Sequence, residues 1–301
     1  MYKIRESKTP GDIAFISLSY LLCAAFAIVC MLPLWMALVS SFSNENALLR
    51  DGYRLTINHF DLTSYRLIFT GSSQVLGSYG VTILSTILGV ALTLLLTSSL
   101  AYPLTVQRLR YRNRIALFAY ATMLFSGGLV PTYILISRVL RMSNTLWVLV
   151  VPGALNAYNM FLMRNYFASL PSSLAESARI DGASDVYIFF RIILPLSTPI
   201  LATIGLFAAM GYWNEWYRVL LFVTNSKLYT LQYLIMRLQQ QVDFLTSSMN
   251  PQARASLGNI TVPTIGIRLA TTMVSIGPIV LLYPFLQRYF MKGIMVGAVK
   301  G

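Results

Sequence analysis

Charged residues are scarce in this sequence, and acidic ones are the scarcest. Of 301 residues only 10 are Asp or Glu and 23 are Lys or Arg, so that 11% are charged, against roughly a quarter in an average soluble domain. Hydrophobic residues make up 56% of the chain, and its mean hydropathy is +0.64. This composition argues against a soluble globule and favours a protein that faces lipid.

Residues that build catalytic or metal centres are also few. His59 is the single histidine, and Cys23 and Cys30 are the two cysteines. The cysteines share one apolar run, too far apart along a helix for a disulfide, and we interpret them as small buried hydrophobes. No G-x-x-x-x-G-K-[ST] motif and no Gly-Lys dipeptide occurs, so no phosphate-binding loop is expected. These absences disfavour a membrane-embedded enzyme, a metal centre and an ATPase.

Long uncharged stretches are what the sequence has in abundance. Six of them reach about 20 residues, the length of a membrane-spanning helix. Leu, Ala, Ile and Met dominate these stretches without strand-like alternation, so we predict an all-α membrane protein with six transmembrane helices. The predicted spans are Ile13–Ser40, Leu76–Leu104, Ile115–Ser137, Thr145–Tyr166, Leu196–Phe222 and Pro263–Gln287.

The absence of repeats and low-complexity tracts predicts a single transmembrane domain over residues 1–301, with its core at about 72–290. External loops are expected at 41–75 and 224–262, and a cytoplasmic loop at 168–195. Within the second external loop, apolar residues at helical spacing predict an amphipathic helix that covers the outer face or simply packs on the surface. These residues are Leu228, Leu231, Leu234, Ile235 and Leu238.

Basic residues cluster on what becomes one side of the membrane. By the positive-inside rule this side is the cytoplasm, so both termini are expected there and the protein in the plasma membrane of a bacterium. Arg138 and Arg141 run against this pattern in a short external link. Because the charges are scattered between spans, the net charge of +13 indicates orientation and no nucleic-acid partner. The clusters are Lys3, Arg5 and Lys8; Arg108, Arg110, Arg112 and Arg114; and Arg288, Lys292 and Lys300.

The cytoplasmic loop from Leu174 to Pro195 carries the most specific pattern. It reads L-A-E-S-A-R-I-D-G-A-S-D-V-Y-I-F-F-R-I-I-L-P. A helix is expected to start after Pro171, Gly182 should interrupt it, and apolar residues then lead into the fifth span. We predict a helix-turn-helix element along the membrane surface.

This loop resembles the EAA loop of ABC importer permeases, in which E-A-A-x-x-x-G is followed after nine residues by I-x-L-P. The sequence departs from that pattern only at Ser177, where Ala is commoner. The W-N-E-W motif at Trp213–Trp216 and the terminal G-I-M-V-G-A-V-K-G at Gly293–Gly301 are similar to the sugar-importer branch, particularly the second permease of oligosaccharide systems.

The resemblance implies a type I ABC importer permease fold with a cytoplasmic coupling helix around Ala178–Ser184. That helix would sit in a cleft of an ATPase subunit, and rocking of the spans would follow ATPase closure. The implied partners are a homologous second permease, two ATP-binding cassette subunits that hold ATP and Mg²⁺, and an extracytoplasmic solute-binding protein, with no cofactor on this chain. The implied coupling residues are Glu176, Ser177, Ala178, Asp181, Gly182, Ala183, Ile192, Leu194 and Pro195.

A transport path for an oligosaccharide or related glycan would need polar and aromatic side chains at membrane depth. Glu215 could accept hydroxyl hydrogen bonds, and it has two possible ion-pair partners, Arg218 and Arg268. The alternative is an interfacial aromatic belt with a structural ion pair. The path candidates are Tyr133, Asn156, Asn159, Trp213, Asn214, Glu215, Trp216 and Arg268.

Two other transport functions stay open at this point. A permease of the same class for a non-sugar solute would share the loop, because the loop indicates coupling to an ATPase subunit and not the identity of the transported solute. An ion-coupled secondary transporter or channel is disfavoured, since no Asp or Glu lies at the centre of a predicted span.

Overall fold

The computed structural model describes residues 10–57, 59–70, 74–248, 265–278 and 280. Within these ranges the chain is mostly helical, and the one β-type pairing is an isolated antiparallel bridge between Ser43 and Phe60. The chain divides into two compact units, one comprising Met1–Gly71 and Leu245–Ile276, the other Ser72–Phe244 and Gly277–Gly301. The predicted all-helical class is confirmed for the described residues.

The helices are numbered in chain order. In addition, 3-10 turns cover Pro103–Thr105, Val151–Gly153 and Ser226–Leu228, and π-helical turns cover Leu135–Val139 and Phe189–Ile193. The α-helices are α1 Pro10–Ser41, α2 Glu45–Asp51, α3 Thr63–Thr70, α4 Gln74–Ala101, α5 Arg112–Leu124, α6 Leu129–Ile134, α7 Trp147–Val150, α8 Ala157–Ser169, α9 Ser172–Ile180, α10 Asp185–Ile188, α11 Leu194–Leu196, α12 Thr198–Trp213, α13 Tyr217–Phe222, α14 Leu231–Ser248 and α15, residues 265–278.

Helix α1 is the most apolar element of the first unit. The mean hydropathy of its most apolar 18-residue window is 2.5, and only Val39, Ser40 and Ser41 at its end are buried. Cys23 and Cys30 are exposed, so their predicted burial is wrong within this chain. The reason is that α1 buries only its last turn, and its apolar length is left for lipid or another subunit.

Two linked helix caps fix the segment that follows α1. The side chain of Asn44 accepts from the N–H of Asn46 at the start of α2 (3.0 Å), and Asp61 accepts from the N–H of Thr63 at the start of α3 (2.8 Å). Asn44 also donates to Asp61 at 3.0 Å. Hydrogen bonds from Thr63 lower the pKa of Asp61. This contribution to stability is present above the unfolded pKa and is lost as the pH falls through the lowered folded pKa.

Glu45 joins α2 to α15 across more than two hundred residues of sequence. Its carboxylate oxygens accept from the backbone N–H groups of Ile265 (3.0 Å) and Gly266 (2.8 Å), the first residues of α15. Glu45 is buried, and a carboxylate at this position satisfies two donors that no helix can pair internally. A Cβ at Gly266 would occupy the place of the Ser64 hydroxyl, which would have to move.

Replacing Glu45 with Ala should therefore destabilise the first unit. We expect a loss of about 1–3 kcal/mol, because two buried donors lose their acceptor. Glu45→Gln keeps one accepting oxygen, so its stability should lie between those of Glu45→Ala and the original protein. Thermal unfolding of the full chain in detergent measures the effect. Equal melting temperatures for all three proteins would contradict a stabilising role of the hydrogen bonds between Glu45 and α15.

In the second unit α4 is the central helix. Its buried face consists of small and polar residues, which allow α12 and α8 to approach closely. At Gly89 the ring of Tyr212 from α12 occupies the space of a Cβ. The face is formed by Ser78, Thr82, Ser85, Gly89, Thr93, Thr97, Ser98 and Ala101.

Two hydrophobic clusters lie at opposite ends of α4. One contains Ala101 together with Phe167 and Ile188, and the other contains Val148 and Val219 with Val81 packed against it. Val81 and Ala101 are about 30 Å apart along the helix. We call these ends of the second unit the Ala101 end and the Val81 end.

Spans are fewer in the described residues than the sequence predicts. α1 and the segment Gln74–Thr105 qualify alone, and two bent helix pairs qualify if each is counted as one span. The described residues thus support two to four spans, and the number six stays a prediction. Part of the predicted sixth span, the terminal basic clusters and the motif Gly293–Gly301 lie outside the described residues.

The third predicted span is wrong in its continuity. The helix ends at Leu124, restarts at Leu129, and its two parts meet at 113°. Gly128 has φ +82°, which ends the helical path. The hydroxyl of Ser126 accepts from the Gly128 N–H at 3.2 Å and stabilises the break.

The fourth and fifth predicted spans are also interrupted. Between Trp147 and Ser169 the chain passes through the 3-10 turn Val151–Gly153, and Asn156 caps α8 where the sequence predicts mid-helix. The fifth predicted span, Leu196–Phe222, is interrupted between Trp213 and Tyr217, and at its entry the chain bends by 80° between Asp185–Leu196 and Thr198–Trp213. Pro152 and Pro199 lack the N–H groups that a continuous helix would use at these places.

The predicted amphipathic helix is confirmed as α14. Leu231, Leu234 and Ile235 are buried on its inner side, while Leu228 lies in the preceding 3-10 turn. The backbone N–H of Leu231 donates to the Thr82 hydroxyl of α4 at 2.8 Å. This bond fixes the start of α14 at the Val81 end of the second unit.

Candidate functional site

The loop between α9 and α10 forms a tight glycine turn. The Gly182 N–H donates to the Arg179 carbonyl (3.1 Å) and the Ala183 N–H to the Ala178 carbonyl (2.9 Å), the bond pair of a Schellman motif. Gly182 has φ +81°, and Ser184 then caps α10 by accepting from the Tyr187 N–H. The predicted helix-turn-helix structure is confirmed, and its position along the membrane surface stays a prediction.

The expected position of the short helix is wrong. The resemblance implies a helix around Ala178–Ser184, whereas α9 covers Ser172–Ile180 and residues 181–184 form the turn. The physical reason is the positive φ of Gly182, which ends α9, and the cap at Ser184, which begins α10. The surface available to a partner is therefore the last turn of α9 with the glycine turn.

The nine predicted coupling residues divide into two groups. Four are partly buried, with Ala178 and Ala183 among those packed against the cluster at the Ala101 end. The others are exposed. The packed residues are Ala178, Ala183, Ile192 and Leu194, and the exposed residues are Glu176, Ser177, Asp181, Gly182 and Pro195.

Sequence reasoning missed three residues of this element. Arg179 reaches across the turn and donates through Nε (3.1 Å) and Nη2 (3.0 Å) to one oxygen of Asp185. Ile180 is 87% exposed beside Gly182, an unusual position for a large aliphatic side chain. The opposite charges at 179 and 185 on either side of a glycine were the available signal for the clamp. An exposed Ile at a helix end was the signal for a contact surface.

A polar cavity of about 170 Å³ lies between α4, α8 and α12. It brings together two of the predicted path residues, Asn156 and Asn159, with the guanidinium of Arg218. Its volume leaves room for several water molecules. The complete lining is Thr93, Gly153, Asn156, Asn159, Phe207, Ala208, Gly211, Tyr212 and Arg218.

The side chains of the cavity offer amide and guanidinium donors. The Asn156 carbonyl oxygen is used to cap α8, accepting from the N–H groups of Tyr158 and Asn159. Its amide nitrogen has no protein acceptor within the described residues, so it is available to a ligand. The Tyr212 hydroxyl is committed to the Val150 carbonyl at 2.8 Å. Phe207 adds a half-exposed aromatic face.

Glu215 forms an ion pair with Arg218. Their side chains approach to 3.0 Å, and Glu215 also accepts from the backbone N–H of Arg218 at 2.8 Å. Arg218 further donates to the Leu149 carbonyl at 2.6 Å and stands 5.7 Å from the Tyr212 ring centroid. Of the two pairings considered for Glu215, the one with Arg218 is confirmed. Because Glu215 is buried and neutralises the arginine, the cavity wall carries no net charge.

The remaining path candidates are dispersed. Trp213 is buried and lies 6.5 Å from the Tyr79 ring, whereas Trp216 is 41% exposed against Tyr217. Asn214 binds the Met210 carbonyl and Gln232. Tyr133 stacks on a ring of α13 at 5.4 Å, and Arg268 belongs to the first unit. Asn156 and Asn159 line the cavity, and these five other candidates do not.

Asn144 fixes two loops at the Val81 end. Its backbone has φ +56°, and its side-chain oxygen accepts from the N–H groups of Thr224 (2.7 Å) and Asn225 (3.0 Å). Its own N–H donates to the Phe222 carbonyl at 3.0 Å. Asn tolerates the left-handed conformation better than most residues, but nothing in the local sequence predicts contacts eighty residues away.

Replacing Asn144 with Gly should loosen this end. Gly accepts the positive φ, so the variant removes only the side-chain bonds, and we expect a loss of about 1–2 kcal/mol because these bonds are exposed to solvent. Asn144→Asp keeps the accepting oxygen and should retain most of the stability. Thermal unfolding distinguishes the two variants. An identical loss of stability in both would contradict the role of the Asn144 side-chain oxygen as a hydrogen-bond acceptor.

Comparisons with known proteins agree with these features. Residues 12–296 match the family described as "Binding-protein-dependent transport system inner membrane component". Protein LplC of Bacillus subtilis (strain 168) is 37% identical, covering 91% of this chain and 90% of the relative. The Polygalacturonan/rhamnogalacturonan transport system permease protein YtcP of the same organism is 36% identical, covering 92% and 94%.

A solved structure agrees at the level of the fold. It is described as a "bacterial ABC transporter involved in the import of the acidic polysaccharide alginate", and one of its chains is 28% identical with a TM-score of 0.79, covering 94% of this chain and 98% of that chain. The family match spans nearly the whole sequence, and both relatives exceed 30% identity over nine-tenths of it. The chain therefore belongs to the family of binding-protein-dependent transport system inner membrane components.

Proposed function

We propose that this chain is a permease subunit of an ATP-driven importer and forms half of the path for an oligosaccharide. The observation that carries the proposal is the pairing, in one compact unit, of an exposed glycine turn with a polar cavity. A turn of this kind can receive force from a partner, and the cavity can hold a hydroxyl-rich solute. Relatives named as permeases for polygalacturonan and arabinooligosaccharides support the glycan assignment.

The coupling role falls to the exposed residues of the α9–α10 element. Glu176, Gly182 and Ile180 would contact a cytoplasmic ATPase subunit, with ATP and Mg²⁺ bound there and not on this chain. Ala178 and Ala183 pack against the core at the Ala101 end. Because of that packing, a displacement of the turn would be transmitted to α4 and α12.

The assembly would contain a homologous second permease, two ATP-binding cassette subunits and an external solute-binding protein. The Ala101 end, with its arginine-rich link, would face the cytoplasm, and both termini would lie there. The Val81 end would then face outward, where Asn144 fixes the loops offered to the binding protein. Such a chain would reside in the plasma membrane as a multi-pass protein.

The cavity chemistry suits a single sugar ring. Phe207 offers an aromatic face for stacking, and the amides of Asn156 and Asn159 offer hydrogen bonds to hydroxyl groups. The ion pair of Glu215 and Arg218 neutralises the wall, which favours contacts with hydroxyl groups.

The test is ATP hydrolysis by the complete complex in liposomes with its binding protein and a panel of glycans. Stimulation by one glycan class is the expected result. Asn159→Leu should raise the half-stimulating glycan concentration about tenfold, since it removes one or two hydrogen bonds. Asn165→Leu, exposed on the same helix, is the matched control and should behave like the original protein.

Each other outcome identifies the part of the proposal that fails. If an ATPase co-purifies and no glycan stimulates its hydrolysis of ATP, the glycan assignment is wrong, and the assignment as an ATP-driven permease is retained. If no ATPase associates with the chain, the coupling assignment of residues 176–195 is wrong.

A further inference from the structure

Four arginines stand at alternate positions where the link after α4 leads into the first turn of α5. The segment reads R-L-R-Y-R-N-R from Arg108 to Arg114, and no Asp or Glu occurs between Asp61 and Glu176. In the part of the chain that the structure describes, none of the four takes part in a salt bridge. Four positive charges are thus concentrated without a protein anion.

The aromatic ring of Tyr111 gathers this charge. The guanidinium carbons of Arg110 and Arg114 lie 5.8 Å and 5.5 Å from its centroid, within the range of cation–π contacts. Arg108, Arg110 and Arg114 are exposed. The ring holds two of the charges together, which lowers the entropy cost of presenting them to one anion.

The surroundings of the arginines are apolar. In the next turns of α5, Leu117 is 67% exposed and Phe118 is 75% exposed, while the segment Gln74–Thr105 before the link is long and apolar enough to span a membrane. Exposed arginines followed by exposed apolar side chains on one helix complement a molecule with an anionic head and an apolar tail. Neither a free phosphate nor the wet surface of a soluble protein has that pair of properties.

We propose that Arg108–Arg114 bind the phosphate headgroup of anionic phospholipids, with Arg108, Arg110 and Arg114 as the ligands and Tyr111 as the residue that positions two of them. The acyl chains lie along Leu117 and Phe118. This site goes beyond the orientation signal and is independent of the transported solute. Val106 packs in the same cluster as Ala178, so the lipid is bound at the end that carries the coupling turn.

Native mass spectrometry of the purified complex tests the site with phosphatidylglycerol and phosphatidylcholine as probes. The original protein should retain phosphatidylglycerol in preference to phosphatidylcholine. Arg110→Gln with Arg114→Gln should reduce that preference about fivefold per arginine, from the contribution of one basic residue near an anionic surface. Arg138→Gln with Arg141→Gln removes the same charge elsewhere and should change the preference by less than a third of that effect.

Tyr111 supplies a second readout that net charge does not affect. Tyr111→Ala should lower the phosphatidylglycerol preference, because Arg110 and Arg114 lose their shared ring, and Tyr111→Phe should preserve it. The proposal would be overturned if both double arginine variants lost the phosphatidylglycerol preference equally, or if the variant at Arg110 and Arg114 kept it in full. If the Arg110 and Arg114 variant keeps its lipid preference and instead loses a protein subunit, the segment is a protein contact and the proposal is likewise wrong.

Discussion

Gly182→Asp should abolish glycan uptake and its coupling to ATP hydrolysis while the chain still folds. A Cβ at Gly182 meets nothing within 4 Å in this chain, so the folding cost is limited to the positive φ, about 1–2 kcal/mol. The added side chain and its negative charge instead occupy the exposed turn proposed to contact an ATPase. We expect at least a tenfold fall in transport, measured as uptake by proteoliposomes.

Two variants separate the causes of that loss. Asn has nearly the same shape as Asp, carries no charge and tolerates positive φ. Loss of glycan uptake in Gly182→Asn would therefore show that the added side chain blocks close approach, and normal uptake would show that the negative charge of the added Asp causes the loss in Gly182→Asp. Glu176→Lys reverses an exposed charge on α9, six residues before Gly182, and should also uncouple the transporter. Normal uptake by both Gly182→Asp and Glu176→Lys would refute the coupling assignment.

Arg218→Met should cause the largest loss of stability. It leaves the Glu215 carboxylate, 8% exposed, without its cation and the Leu149 carbonyl without its donor. Breaking a buried pair costs about 3–5 kcal/mol. Because the Arg218 side chain keeps 24% of its exposure, we expect about 2–3 kcal/mol after discounting for solvent screening.

A double-mutant cycle isolates the ion pair from the other bonds of Arg218. Adding Glu215→Gln to Arg218→Met removes the unpaired charge and should restore part of the lost stability. Thermal unfolding of the four proteins in detergent gives the coupling energy. If the double variant is no more stable than Arg218→Met alone, the buried charge is not the source of the cost.

The parts that were predictable are governed by local rules. Gly182 signals a turn because few residues adopt its φ, and the spacing of Leu231, Leu234 and Ile235 signals one helical face. Asn156 and Asn159 were selected as polar residues in an apolar run, and they do line the cavity. In each case the information lies within a few residues of the feature.

The parts that were missed depend on contacts distant in sequence or on breaks inside apolar runs. Glu45 meets Gly266, and Asn144 meets Thr224, and no local pattern connects either pair. Hydropathy predicted a third span without a break, because Phe125 is apolar and the glycines at 127 and 128 lower the mean hydropathy too little to mark a turn. Arg218 was one of two ion-pair partners that the sequence offered for Glu215, and neither the choice between them nor the burial of Glu215 can be read from the sequence.

The central claim is tested most directly by glycan accumulation in proteoliposomes that carry the complete complex and an external binding protein. The measurement compares vesicles with and without ATP on the side of the ATPase subunits, using the glycan that stimulates hydrolysis. The expected result is accumulation above the external concentration only with ATP, lost in Gly182→Asp. Equal glycan levels with and without ATP would contradict the account.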